Sequence, residues 1–336
     1  MAVPDAPQQM IESLSQAGLI KLGQESSFEA LTGGVSSDIW KVTTPDHTFC
    51  VKQALSKLKV EADWFAPVER NQFEVNWYQI ANKIVPGSAP KILAHDSTEM
   101  LFAMEFLEPD NHRLWKTELH AGHADPLQAA ETGHRLGQIH AGTAGDITLE
   151  SLFPRADIFQ SIRLEPYLEA TALKHPDLQD QLFALSRRTA EKRLVLIHGD
   201  VSPKNILMGP GGPVFLDAEC ACIGDPAFDL AFCLNHFLLK CLWTPRATDD
   251  FLASFQAMAS AYLKEVNWEA AGALEARTAS LLPGLFLARV DGKSPVEYIT
   301  NENDKERVRH CARALLISPP KHLSQIRDAW EKELSE

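Results

Sequence analysis

One stretch limits what this chain can fold into more than any other: Leu194 to Asp229, a β-rich insert within an otherwise helical half. Its apolar run Leu194–Ile197 leads straight into His198-Gly199-Asp200, followed by Val201-Ser202-Pro203-Lys204-Asn205. A short apolar run, Ile206–Met208, then meets a Gly-Pro-Gly-Gly-Pro turn, and Val214–Leu216 ends at Asp217. Two short apolar runs on either side of a Gly/Pro turn predict a hairpin. Pairing symmetric about Gly211 sets Asn205 directly opposite Asp217, with Cα atoms roughly 4.5–5.5 Å apart.

The chain before residue 109 has a different pattern. Phe28–Thr32 ends at Gly33-Gly34, Ile39–Thr43 follows, and Pro45-Asp46 turns into Thr48–Gln53, which gives three strand-like runs. Phe73, Trp77, Ile80 and Ile84 recur at helical spacing and predict a helix from about Pro67 to Ile84, stopped by Pro86-Gly87. Lys91–His95 and Met100–Leu107 read as two further strands. Residues 1–108 are therefore expected to form a small β-rich lobe with one helix, and residues 109–336 a mainly helical lobe. In the latter, Asp125-Pro126-Leu127-Gln128 resembles a capping box with Pro at the first helical position. It opens a helix over Ala129–His140, and others are expected at Leu178–Glu191, Asp249–Glu265, Trp268–Val290 and Asp304–Ile317, with a terminal amphipathic helix. Phe251, Phe255, Met258 and Tyr262 form one apolar stripe, which a core face explains.

Composition excludes several classes of function. Lys plus Arg total 32 against 45 Asp plus Glu, a net charge of −13 that argues against a nucleic-acid partner, which calls for clustered cations. The six Cys lie scattered in apolar segments and read as buried, reduced thiols, not as metal ligands. His120, His123 and His134 are close in sequence, but their spacing fits no ligand pattern. Met1 to Gln16 lacks the basic and apolar regions of a signal peptide. The most apolar stretch, Leu230 to Trp243, is too short to span a bilayer and contains Asn235, His236 and Lys240. The expectation is a cytoplasmic enzyme with no membrane partner; the sequence does not give its oligomeric state.

Singly, the residues of the insert are ordinary: Asp beside Gly turns a chain, Asn starts a strand, and Asp217 and Glu219 end one. Together they carry chemistry. A carboxylate and an amide oxygen held close make a good Mg²⁺ clamp, because Mg²⁺ takes oxygen ligands and usually needs only one or two from protein beside phosphates. Asp200 lies five residues before Asn205, the spacing of base to metal-binding Asn in a kinase catalytic loop. Lys52 ends the alternating run Thr48 to Lys52, where an inward Lys needs a charge partner. Glu74 sits at the edge of the Phe73/Trp77 stripe, where a carboxylate needs a cation.

On these residues the sequence resembles the aminoglycoside phosphotransferase and choline-kinase-like family. His198-Gly199-Asp200…Asn205 is similar to that family's catalytic loop. Asp217-Ala218-Glu219 with Gly224-Asp225-Pro226…Asp229-Leu230-Ala231 is similar to its metal-binding segment. The resemblance extends over roughly residues 20 to 315 and implies an α+β, protein-kinase-like two-lobe fold. It further implies ATP and Mg²⁺ as cofactors and transfer of the γ-phosphate to a hydroxyl of a small molecule. Asp200 is then the base, Asn205 and Asp217 bind Mg²⁺, Asp229 braces the loop and His198 holds its geometry. Glu219 would touch a second metal through water. Lys52, paired with Glu74, would hold the ATP phosphates under a loop carrying Gly33, Gly34, Ser36 and Ser37. Glu105 and Leu107 would lie at the hinge, offering backbone groups to adenine. Only eleven residues, Ala218 to Phe228, separate Asp217 from Asp229, and none is Ser, Thr or Tyr. That leaves little chain for the activation loop of a Ser/Thr protein kinase, the reading ranked below a small acceptor. Val51-Lys52-Gln53-Ala54 is also similar to the methylthioribose kinases, whose catalytic loop differs at the position of Asn205. A catalytically inactive nucleotide-binding module should have lost Asp200, Asn205 or Asp217, and none is lost.

Overall fold

Alternation along the chain between Thr48 and Ala54 divides the N-terminal region into two faces. Phe49 and Val51 are buried with Trp40, Val42, Leu101 and Ala103 on one side, while Cys50 packs with Phe73, Trp77 and Phe102 on the other. The computed structural model describes residues 7–21, 23, 25–31, 36–57 and 66–336. The first helix, α1 (Gln8–Gln16), lays Met10 and Leu14 on the first of these faces. Five strands follow: β1 (Ser27–Leu31), β2 (Ser37–Thr43), β3 (Thr48–Ala54), β4 (Ile92–Asp96) and β5 (Leu101–Glu105). They form one antiparallel sheet in the order β1-β2-β3-β5-β4. Between β3 and β4, α2 (Arg70–Ile84) covers the second face with Phe73 and Trp77. Lys52, between Val51 and Gln53 on β3, belongs to this helix-covered side.

Past the sheet come β6 (Arg113–Leu114), α3 (Trp115–His120) and α4 (Pro126–Thr143). Asp125 caps α4 by accepting the Leu127 N–H, with Pro126 in the first turn. A continuous helical segment then runs from α5 (Ala156–Phe159) through a π-helical stretch, Gln160–Glu169, into α6 (Ala170–Lys174). Its ladder widens where Pro166 has no N–H to donate, and Ala170 reaches back five residues to the Glu165 carbonyl. After α7 (Gln179–Glu191) come four short strands: β7 (Val195–Ile197), β8 (Ile206–Gly209), β9 (Gly212–Phe215) and β10 (Cys222–Gly224). The chain ends in α8 (Pro226–Trp243), α9 (Thr248–Glu265), α10 (Ala271–Asp291), α11 (Glu302–Ile317) and α12 (Leu323–Ser335).

The expected strands and most helices appear within a few residues of their predicted limits, but three features differ. Three helical segments, α1, α3 and residues 156–174, had no counterpart in the sequence reading. α8 is buried from Pro226 to Cys241, so it is apolar on all sides and shows no one-faced period. The hairpin register is also shifted by one residue from symmetry about Gly211. Gly209 pairs with Gly212, leaving a two-residue loop of Pro210-Gly211, and Ile206 pairs with Phe215. Asn205 therefore faces Leu216, whose N–H donates to the Asn205 carbonyl at 2.8 Å. Asp217 leaves the strand in the left-handed region with φ 67°, a conformation that Asp tolerates better than most residues.

α4 and α9 approach closely because α4 presents Gly133 and Gly137 to its neighbour. A Cβ on Gly133 would lie 2.3 Å from the Met258 carbonyl oxygen, and one on Gly137 would lie 2.7 Å from the Glu265 Cβ. Gly133→Ala is expected to lower stability by about 1–3 kcal/mol, although Ala is the better helix former. Urea denaturation measures this, and an unchanged midpoint would mean that the helices can part without cost.

Candidate active site

The Lys52 ammonium, brought by β3, lies between two carboxylates. Its Nζ is 2.9 and 2.7 Å from the two Glu74 oxygens and 2.5 Å from Asp217 Oδ1. Glu74 comes from α2 and Asp217 from the end of the β8–β9 hairpin, so one cation joins sheet, helix and hairpin. Tyr78, one helical turn beyond Glu74, completes the group. Its hydroxyl donates to Glu74 Oε1 at 2.7 Å and accepts the Asp217 N–H at 2.8 Å. The sequence reading paired Lys52 with Glu74 but missed Tyr78, for which i+4 spacing was the available signal.

The loop from His198 to Asn205 hangs from a buried carboxylate. Asp229, in the first turn of α8, accepts the His198 N–H at 2.6 Å and the Gly199 N–H at 2.8 Å. His140 on α4 holds Asp229 in place, with Nε2 3.3 Å from Oδ2 and Nδ1 2.7 Å from the Tyr262 hydroxyl. The His198 ring accepts the Asp200 N–H at Nδ1 and donates from Nε2 to the Leu216 carbonyl. Burial outweighs the neighbouring Asp229, Asp200 and Asp217 charges and holds its pKa below the ordinary value. A neutral imidazole with both nitrogens engaged ties the loop to the hairpin.

The Asp200 side chain is 1% exposed and its two oxygens differ. Oδ2 meets Arg163 at 2.7 Å, Lys204 at 3.1 Å and the Asn205 amide at 2.8 Å, whereas Oδ1 is buried without a partner among the described residues. Burial raises its pKa, but the Arg163 and Lys204 charges outweigh that and lower it overall. Asn205 Nδ2 also donates to the Asp200 carbonyl, so the amide orientation is set and Oδ1 remains as its acceptor. Arg163, which also donates to the Gly199 carbonyl at 2.8 Å, was not found from sequence. It sits 37 residues before Asp200 on the helical segment interrupted by Pro166.

The remaining candidates lie around this centre. Gly33 and Gly34 fall outside the described residues. Ser36 is buried, and its carbonyl accepts from Arg70 at 2.5 Å and from the Leu55 N–H; Ser37 begins β2 opposite Ala54. Arg70 also binds Glu219 through Nε at 2.9 Å, which commits one oxygen of Glu219 to a cation. Glu105 closes β5, accepting the Lys91 N–H on its side chain, and Leu107 follows in the segment that leaves the sheet. His120 stacks on Trp243 with centroids 3.8 Å apart, and His134 pairs with Glu265 at 2.9 Å. Among the described residues, no three His, Cys, Asp or Glu side chains group as a metal site. The Asn205 and Asp217 oxygens are hard donors of the kind that suits Mg²⁺, with phosphate and water supplying the rest of a shell.

An antiparallel sheet with a Lys–Glu pair, set against a helical region that carries an Asp/Asn loop, defines a protein-kinase-like protein. The phosphotransferase enzyme family (APH) matches residues 27–274, and the chain belongs to that family. Among curated relatives, methylthioribose kinase of Cronobacter sakazakii is 27% identical, over 58% of this chain and 55% of that protein. The Bacillus cereus methylthioribose kinase is 26% identical, over 61% and 58%. The chain thus spans about half the length of the curated relatives it matches. Among solved structures, an amicoumacin kinase superposes with a TM-score of 0.56 at 12% identity, over 95% of this chain and 96% of that one. A choline/ethanolamine kinase family protein from Mesorhizobium loti gives 0.51 at 14% identity, over 97% and 100%. These likenesses establish the two-lobe kinase fold.

One ammonium between two carboxylates leaves an excess negative charge in the cluster. Asp217 keeps its charge: burial alone would raise its pKa, but Lys52, Lys204 and Arg163 together outweigh that and hold it well below the usual carboxylate range. Glu74, 1% exposed, is pushed up to about 7 by burial, against the pull of Lys52. Below the ordinary value of 4.5 both folded and unfolded chains hold the Glu74 proton, and between 4.5 and about 7 only the folded chain does. Stability from this group is therefore fully present at low pH and is lost as pH rises through about 7. Urea titrations across that window should show wild type losing stability relative to Glu74→Gln as pH rises; parallel profiles would place the proton elsewhere.

Proposed function

We propose that this protein is a Mg·ATP-dependent phosphotransferase that moves the γ-phosphate to a hydroxyl of a small molecule, as aminoglycoside phosphotransferases do. The observation that carries the reading is Asp200 Oδ1, a buried, ionised acceptor with no partner among the described residues, on a carboxylate whose other oxygen is fixed by Arg163, Lys204 and Asn205. That is the arrangement a base needs to orient an acceptor hydroxyl and take its proton late in transfer. Lys52, held by Glu74, meets the ATP phosphates, while the loop carrying Gly33, Gly34, Ser36 and Ser37 covers them. Asn205 and Asp217 hold Mg²⁺, which would offset phosphate charge during transfer. His198 and Asp229 keep the loop in register. Glu105 and Leu107 lie at the adenine side, with residues 1–108 as the nucleotide lobe and 109–336 as the catalytic and acceptor lobe.

A small acceptor is favoured by the segment after Asp217. Ala218 to Phe228 is buried throughout and is taken up by β10 and the start of α8, so no stretch of it is free to hold a peptide. Among the described residues no helix is long and apolar enough to cross a membrane. The curated relatives are methylthioribose kinases, which places methylthioribose on any acceptor panel. Labelled ATP offered with amino alcohols, sugars, aminoglycosides and generic protein substrates tests the reading. Labelling confined to Ser or Thr of the proteins would replace it with a protein kinase.

Two sets of variants test the roles. Asp200→Asn should keep nucleotide binding and cut turnover roughly 10²–10⁴-fold, the usual worth of a positioned base; weakened binding with turnover intact would assign it another role. Asp217→Ala and Asn205→Ala should each abolish turnover, with strongly non-additive costs because they share one metal. Near-wild-type turnover in both would exclude the pair as the metal site.

A further inference from the structure

Beside Asp200, a closed circuit of side chains encloses cations without matching acids. It begins at Tyr167, four residues beyond Arg163 on the π-helical stretch. The Arg289 guanidinium of α10 lies over the Tyr167 ring at 5.3 Å and donates to its hydroxyl at 3.0 Å. Arg289 also binds the Ser294 carbonyl, which fixes the loop that carries Tyr298. Tyr298 stacks on Trp243 with centroids 4.3 Å apart, and Lys240 Nζ lies 4.5 Å from the Trp243 centroid and 4.9 Å from that of Tyr298. One turn back on α8 is His236, and one more is Phe232, whose ring is 5.3 Å from Tyr167. Lys204, bonded to Asp200, and Lys116 of α3 stand at the same end of the lobe, where α3 packs on the Pro203–Asn205 turn.

The charges here do not balance. Lys240 is 1% exposed and Arg289 8%, yet among the described residues neither has a carboxylate partner. The acid of this corner, Glu297, is largely exposed and is taken by Lys116. Burial and the Lys116 charge, opposed by Glu297, push Lys240 down to about 7. Burial with Arg289, Lys240, Lys204 and Lys116 pushes His236 well down. Among the described residues, Arg289 Nε and the Tyr298 hydroxyl are buried without partners, as are Asp200 Oδ1 and Ser202 Oγ. A cation taken out of water without an acid is costly, which is why Lys240 is only partly charged near neutral pH, and a site that keeps both groups has a reason to do so.

We propose that the acceptor of this kinase is a small hydroxylated anion, its carboxylate or phosphate met by Arg289 and Lys240 while Asp200 faces its hydroxyl. The proposal rests on the phosphotransferase reading and adds the charge of the substrate to it. In the reaction the acceptor oxygen forms the new bond to the γ-phosphorus and the bond to the ADP oxygen breaks. The hydroxyl proton passes to Asp200 and then to solvent. A cationic amino alcohol or aminoglycoside would bring like charge to this corner.

The test compares initial rates with Mg·ATP for three acceptor classes: glycerate and glycerol 3-phosphate, then glycerol and methylthioribose, then choline and kanamycin. An acid should be preferred over both other classes, and its carboxylate and phosphate forms are told apart by which is the better acceptor. Arg289→Gln should raise KM for that acid about 10- to 100-fold, the worth of a hydrogen bond to a charged group, with KM for ATP unchanged. Arg289→Lys should recover much of the loss. Preference for a neutral or cationic acceptor overturns the inference and leaves the kinase reading standing, as does a kcat loss in Arg289→Gln with the charge preference intact. No transfer to any class by protein that binds Mg·ATP counts against the kinase reading itself, and the inference falls with it. A readout free of turnover is thermal stability. Ligand-free Lys240→Met should melt higher than wild type, and glycerate or inorganic phosphate should raise the wild-type Tm but not that of the Arg289→Gln/Lys240→Met protein. A lower-melting Lys240→Met together with a wild type insensitive to both anions would also overturn it.

Discussion

A fully buried carboxylate organises the loop at the centre of the candidate site. Asp229 accepts two successive backbone N–H groups, from His198 and Gly199, and a ring nitrogen of His140. Its place in the first turn of α8 lets the helix dipole share in holding the charge, and bonds to an ionised acceptor are stronger than neutral ones. The loop can close on Asp229 only because Gly199 takes φ 78° and leaves room; a Cβ there would lie 2.8 Å from Cys220. Since α8 is buried along nearly all of its length, the loop is anchored to a helix enclosed by the core of the lobe, and Asp200 and Asn205 are placed by that anchor.

Where one face of an element meets the core and the other does not, the sequence was readable. α9 is the clearest case, with Phe251, Phe255, Met258 and Tyr262 buried while Asp249, Asp250 and Ala253 are exposed. α8 defeated the same reasoning because a helix surrounded by protein has no polar side. Residues 156–174 were hidden by Pro166, which ordinarily stops a helix and here only widens its ladder. The hairpin was recognised, but its axis was misplaced, since a run of glycines does not say which two residues form the loop. In the site, the Asp200–Asn205 loop was legible as a local spacing, and the Lys52–Glu74 pair from a charge placed on a strand and another at the edge of a helix stripe. Arg163 and Arg70 reach the same centre from distant positions, and only the fold brings them there.

Net charge does not describe the site locally. The chain carries −13 overall, while the corner beside Asp200 gathers Lys204, Lys240 and Arg289. The acids lie mostly on the outside, where water screens them. In that corner Lys240 and Arg289 are buried while Lys204 is half exposed, and at close range a few cations outweigh many distant charges.

The bond from Lys52 to Asp217 also bears on how the cleft fills. It runs directly from the sheet to the hairpin, between the ammonium proposed for phosphate and the carboxylate proposed for metal. The cleft thus carries its own internal counterion pair and is never an open row of bare charges. On the proposed roles, nucleotide entry would be an exchange, phosphate displacing the Asp217 carboxylate from the Lys52 ammonium as that carboxylate turns to the metal. Metal and nucleotide would then assist each other's binding by thermodynamic linkage.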